Sequence, residues 1–399
     1  MRALLFASGL AVAAPAQSSL SIGVGGPAAQ SGLNSQRQNR SDHAFPRHPV
    51  VLWKAHIGGV LSQAPAIDPD GNIVAITDAS VVTQLDSRGR VQWQQPLPSA
   101  HASAPIITAD GHRLIVLRDG IAQRYNASGH ALWSARTGST RNQRSASPLA
   151  LKDGRFLTPR GAFISSWSHY GEEDGRARFP STVSALAEYR GRIAVTLTNG
   201  DLFLWHPPRP PKRVGSFGSA STSELVIFRD QAVAIVSANS LVSIDLRSGR
   251  RAELARADEK DPLVGTPAIT ADGTIHTLSL MSQLIQTLPT GEAGGTRFIP
   301  QATTLPPARF PPRLPSPIVD KHGTVAVAWP GTPTAFLRAD DTVESAPAAV
   351  CATPLALLPS GPESLVLVCS SGLMWGIGAT NTQQIPANAA AYTISTPRH

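Results

Sequence analysis

The chain has 399 residues, 42% of them hydrophobic and only 16% charged, with a formal net charge of +8. The apolar share is ample for a core, and no apolar, uncharged run of about 18 residues follows the N-terminus, which excludes a membrane-spanning helix in the mature chain. The basic balance would suit an anionic partner. The arginines, however, are scattered through turn-like positions such as Arg88, Arg90, Arg113, Arg190 and Arg250. With no basic stripe and no aromatic-flanked basic cluster, nucleic acid is set aside as a partner class.

The chain opens like a secretion signal. Arg2 supplies the positive start, Ala3 to Ala14 are apolar and small, and Ala14-Pro15-Ala16 offers a cleavage site before Gln17. Residues 1–16 are therefore expected to be removed on export to a periplasmic or extracellular space. No cysteine follows the site, so a bacterial lipid anchor of the usual type is not supported. Residues 17–48 are rich in Ser, Gly, Gln, Asn and Ala and show no apolar alternation. Such a stretch buries too little surface to offset its ordering entropy, and a mobile leader is expected there.

From Val50 onward the chain is periodic. Trp53, Trp93 and Trp133 stand 40 residues apart, and Leu85-Asp86-Ser87-Arg88-Gly89-Arg90-Val91-Gln92-Trp93 recurs as Tyr125-Asn126-Ala127-Ser128-Gly129-His130-Ala131-Leu132-Trp133. The other half of the unit is a small or hydroxyl residue, then Pro, an apolar pair and a turn. Examples are Ala64-Pro65-Ala66-Ile67 before Asp70-Gly71, Ala104-Pro105-Ile106-Ile107 before Asp110-Gly111, and Thr266-Pro267-Ala268-Ile269 before Asp272-Gly273. Counting weaker copies near Val183 and Glu224, the unit occurs eight times. The Asp-Gly pairs are read as hairpin turns. Asp68-Pro69-Asp70-Gly71-Asn72 lacks the further oxygen ligands that a calcium loop needs. Four short strands per unit of about 40 residues predict a propeller blade.

The last unit has strands near Thr353–Leu358, Ser364–Cys369 and Leu373–Ile377, and then its pattern stops. The isolated segment Val50–Lys54 resembles the missing fourth strand. The expected fold is thus all-β: an eight-bladed propeller of four-stranded antiparallel blades over 49–379, closed by the N-terminal strand pairing in the last blade, with a tail at 380–399. Closure leaves only short, protected sheet edges. Proline runs at His206–Lys212 and Pro300–Pro317 are read as loops. Cys351 and Cys369 lie equally far from Ser360, so a hairpin there would set them opposite each other, and a disulfide fits an exported protein.

The Leu85-Asp86…Gly89…Trp93 segment, with Asn126…Gly129…Trp133 and Asp245…Gly249, resembles the repeat of the quinoprotein-like propellers. That family includes pyrroloquinoline-quinone (PQQ) dehydrogenases and non-enzymatic relatives such as the propeller lipoprotein of the barrel-assembly machinery. The resemblance implies that Trp53, Trp93 and Trp133 dock adjacent blades, each filling a gap with a large flat ring. For the enzymes it implies a quinone held between a tryptophan and a vicinal-cysteine ring, with calcium and an aspartate base. Here the only cysteines are Cys351 and Cys369, which are not adjacent.

No nucleophile elbow, zincin, Walker or dinucleotide-binding motif occurs. Ser168-His169 beside Glu172-Glu173-Asp174 reads as a solvated loop, and the eleven histidines are dispersed. No catalytic, cofactor-binding or metal residue is assigned. The expectation is a monomeric, exported scaffold that binds a protein or polysaccharide partner through loops or blade edges. The alternative is an oxidoreductase dependent on PQQ and calcium.

Overall fold

The computed structural model describes residues 26–101, 103–108, 110–137, 146–288, 292–299 and 314–379, with the backbone of Tyr392–Thr393. Eight sheets follow one another along the chain; seven are antiparallel with four strands in sequence order, and the eighth takes in the chain's first strand. The strands of each are called a to d, from the ring's centre outward. Blade 1 comprises Ala66–Ile67, Ile73–Ile76, Val81–Leu85 and Val91–Pro96; blade 2, Ile106–Ile107, Arg113–Val116, Ile121–Tyr125 and Ala131–Arg136. Blade 3 is Leu149–Ala150, Phe156–Arg160, Phe163–Trp167 and Glu173–Arg178; blade 4, Val183–Tyr189, Arg192–Leu197, Asp201–Trp205 and Lys212–Ser216. Blade 5 is Val226–Phe228, Gln231–Val236, Ser240–Asp245 and Arg251–Arg256; blade 6, Leu263–Ile269, Ile275–Ser279, Gln283–Thr287 and Ala293–Phe298. Blade 7 is Ile318–Val319, Val325–Val327, Pro333–Leu337 and Val343–Val350.

Blade 8 takes strands a to c from Pro354–Gly361, Ser364–Cys369 and Leu373–Ala379, and its d strand is Pro49–His56. Trp53 pairs with Gly376 and Lys54 with Trp375, so the chain's first strand closes the ring as expected. The first strands of neighbouring blades meet, for example those of blade 1 with those of blades 2 and 8. The backbone of Tyr392–Thr393 runs parallel to Ala55–His56 on the outer edge of blade 8. The rest of the expected tail at 380–399 lies outside the described residues.

Burial explains the two sequence patterns. Strand b of blade 1 is buried at all four positions, because both its faces meet neighbouring blades, and it reads as a continuous apolar run. Strand d alternates half-buried and exposed residues, because its outer edge and one face meet water.

The Asp-Gly turns are sharper than expected in one respect: only the glycine carries positive φ, as at Gly71 (79°) and Gly111 (75°). In the first, the Gly71 amide donates to the Asp68 carbonyl while the Asp68 carboxylate accepts from the amides of Asp70 and Asn72. The aspartate that opens the turn is therefore consumed in holding it.

Candidate functional site: a filled channel and the gaps between blades

The first strands of the blades line the ring's centre, and each has one edge with no partner inside its own sheet. Unpaired strand edges demand hydrogen bonds. Residues 28–39 supply them for blades 1 to 7, one acceptor per blade in ring order. The amide of Ile67 donates to the Ala28 carbonyl (2.8 Å) and that of Ile107 to Ala29 (2.8 Å). The Ala150 amide takes the Gln30 side-chain oxygen at 2.9 Å. Glu188 follows with the carbonyl of Ser35 (2.7 Å), Ile227 with Gln36 (2.9 Å), Ile269 with Gln38 (3.0 Å) and Val319 with Asn39 (2.9 Å). In blade 8 the Glu363 amide, in a turn, donates to Ala44.

Side chains answer in the other direction. Gln30 Nε2 donates to the Ala150 carbonyl, Gln38 Nε2 to Ile227, and Asn39 Nδ2 to Thr266 and Pro267. Arg37 is 0% exposed and donates to the carbonyls of Leu186, Ser31, Ser147 and Pro148, with Glu224 3.8 Å away. Burial pulls its guanidinium below the usual arginine range, partly offset by Glu224. Leu33 and Phe45 are buried, and Phe45 meets Phe336 edge to face at 6.3 Å. The expected mobile leader is therefore corrected over 26–48, which is packed into the centre of the ring. Its composition misleads because it forms no sheet: each blade takes one residue or two, so no period can appear. Residues 1–25, with the expected signal segment, lie outside the described residues.

Between blades the repeat residues recur. Trp53 of blade 8 lies on Gly89 of blade 1, Trp93 of blade 1 on Gly129 of blade 2, and Trp133 of blade 2 on Gly171 of blade 3. A Cβ on Gly129 or Gly171 would stand 2.8 Å from the ring. Trp93 Nε1 donates to the Ala127 carbonyl at 2.9 Å, and Trp133 Nε1 to His169 at 3.1 Å. Trp93 and Trp133 thus bind the turn of the next blade with the face of the ring and its one polar atom, and Trp53 with its face. Beside them, Arg113 is 1% exposed and reaches back to Asp68 (2.6 Å) and Gln84 (2.9 Å) of blade 1. Arg124 likewise bonds Asp110 and the His169 carbonyl. Burial alone would raise Asp110, but hydrogen bonds from Thr108 and Arg124 hold it down to about 2.

On the far side of the ring the tryptophans are replaced. Trp93 pairs with Gln84 and Trp133 with Arg124. The matching register puts Ala252 opposite Ser243 in blade 5 and Gly295 opposite Gln286 in blade 6. With small residues there, gaps remain. A cleft of about 650 Å³ between blades 5 and 6 is lined by Ala252, Arg229, Asp230 and Arg250. Another of about 510 Å³ between blades 6 and 7 is lined by His276, Arg297, Lys321 and Arg338.

Cys351 and Cys369 are disulfide-bonded, with Cα atoms 6.0 Å apart, and both are buried. Ser168 and His169 do not form a catalytic pair. The Ser168 hydroxyl caps its own turn through the amides of Tyr170 and Glu172, His169 packs on Tyr170, and Glu173 pairs with Arg176. Among the described residues, no three or more of His, Cys, Asp and Glu are grouped as a metal site would require. The quinone site implied for the dehydrogenases does not fit this channel, because residues 28–39 fill it.

The family described as outer membrane protein assembly factor BamB matches residues 49–286, more than half of the chain. The chain belongs to that family. The match takes in the closing strand and the blades that carry the strongest repeats. BamB from Moraxella catarrhalis shares 14% identity, with 86% of this chain and 96% of that one covered, at a TM-score of 0.55. Quinohemoprotein alcohol dehydrogenase ADHIIG from Pseudomonas putida HK5 shares 11%, covering 95% of this chain and 83% of its own, at 0.64. The computationally designed Ika8 protein shares 13%, covering 82% and 99%, at 0.63. At such identities these solved structures show the fold alone. No curated protein sequence matches the chain. No helix among the described residues is long and apolar enough to cross a membrane.

Proposed function

We propose that this BamB-family propeller is an exported, non-catalytic scaffold in the assembly of outer-membrane proteins. It takes a polypeptide partner on its loops and blade edges. The observation that carries this reading is the filled channel: with Arg37 and its neighbours bonded to the inner strands, a ligand has only the outer surface to meet. A rigid ring presenting loops suits recognition by shape and polar complementarity. The Cys351–Cys369 pair supports an oxidising compartment, as does the signal-like start.

The test is deletion of the gene in its native host with outer-membrane protein content measured, alongside titration of the purified chain with PQQ and calcium. The reading expects depleted outer-membrane proteins, restored by the intact gene, and no saturable change in the quinone spectrum. Unchanged outer-membrane proteins together with quinone-dependent dye reduction would replace the scaffold by an oxidoreductase.

A further inference from the structure

The cleft between blades 6 and 7 differs from the other gaps in what it leaves unsatisfied. His276, on strand b of blade 6, is 7% exposed, and its Nδ1 has no hydrogen-bond partner. Arg338, at the end of strand c of blade 7, has a buried Nε that is likewise unpartnered. Buried polar atoms are normally paired, and these two residues, each with an unpaired buried atom, both line this cleft. Lys321, exposed on the turn of blade 7, makes no ion pair or hydrogen bond among the described residues.

The acidic groups at the cleft are already committed. Asp272 accepts from Thr270 and from the amide and hydroxyl of Thr274. Asp341 pairs with Arg297, and Glu344 with Arg338. What remains without an ion-pair partner among the described residues is Lys321, the His276 ring and the Asp272 carboxylate, which keeps its charge while bonded to Thr270 and Thr274.

We propose that this cleft binds an oxyanion, a carboxylate or phosphate group, through Lys321 and the His276 ring, with the already paired guanidinium groups of Arg297 and Arg338 beside it. Planar guanidinium groups and an ammonium suit such a ligand, and the partly closed cleft strengthens charge-assisted bonds. Burial and the charge of Arg297 push His276 down to about 4, with Asp272 partly opposing, so the empty site holds a neutral ring. The charged and titratable groups around that ring are Asp272 and Arg297 on its own blade and, across the cleft, Lys321, His322, Arg338 and Asp341. A bound anion favours the imidazolium. Binding therefore raises the ring's midpoint and tightens as pH falls. A rise of about two units would strengthen affinity about tenfold between pH 7 and pH 5.

The experiment follows the His276 ring resonances by NMR in the full mature chain, titrated with sulfate (constant charge over that range), with acetate, and with a short acidic peptide. The proposal expects saturable shifts with a midpoint moved upward. A response to sulfate or acetate identifies a free oxyanion as sufficient, and a response to the peptide alone assigns the carboxylate to a polypeptide. Lys321→Gln should weaken binding several-fold, and His276→Gln should bind weakly without the pH dependence, both with unchanged thermal unfolding. No shift with any probe, or the same affinity and pH dependence in both variants, overturns the proposal.

Discussion

Two arcs of the ring solve the same problem differently. From blade 8 round to blade 3, the d strands of blades 8, 1 and 2 each send a tryptophan onto a turn glycine of the next blade, and buried arginines tie the blades together. From blade 5 through blade 7, the matching positions are Ala252 and Gly295, and clefts open there. Tryptophan docking is therefore not required at every blade interface of a closed ring. In the loose arc the inner strands of blades 5, 6 and 7 still share apolar clusters, and the clefts open outside them.

The largest effect should come from the buried pair of the tight arc. Arg113→Ala strands Asp68 and Gln84, and urea unfolding should show a loss of about 3–5 kcal/mol. A loss no greater than that of an exposed arginine would remove the distinction between the arcs. Next, Cys369→Ser opens a link of sequence separation 18 in the closing blade and should cost about 2–4 kcal/mol, read from the same curves with and without reductant. Trp93→Ala should cost about 2–3 kcal/mol, less than a fully buried tryptophan because the ring is half-exposed. Smallest of all, Ala252→Trp in the loose arc should change stability by less than about 1 kcal/mol while shrinking the cleft between blades 5 and 6 in a crystal structure. A large loss there would show that the cleft is tightly packed in solution.

The frame was readable because its signals are local. The Trp53-Trp93-Trp133 period, the Asp-Gly turns and the orphan strand at Val50–Lys54 each act within a few residues or at a constant interval. Docking by the tryptophans came from the family resemblance that these repeats carry. The leader was not readable: Ala28, Gln30, Gln38 and Asn39 each pair with a different blade, and their partners lie 39 to 280 residues away in no repeating pattern. Arg37 looks like any polar-segment arginine until four carbonyls converge on it. The clefts escaped because they are made by absent side chains, and His276 is one of eleven histidines until burial singles it out.

The central claim is that residues 28–39 complete the inner edges of the ring. Amide hydrogen exchange in the mature chain, compared with a variant lacking residues 17–46, tests it directly at Ile67, Ile107, Ala150, Glu188, Ile227, Ile269 and Val319. These seven amides should exchange as slowly as the strand b core in the full chain, and much faster in the truncated one while the outer strands keep their protection. Fast exchange at all seven in the full chain, or no change on truncation, would contradict a leader bonded into the ring.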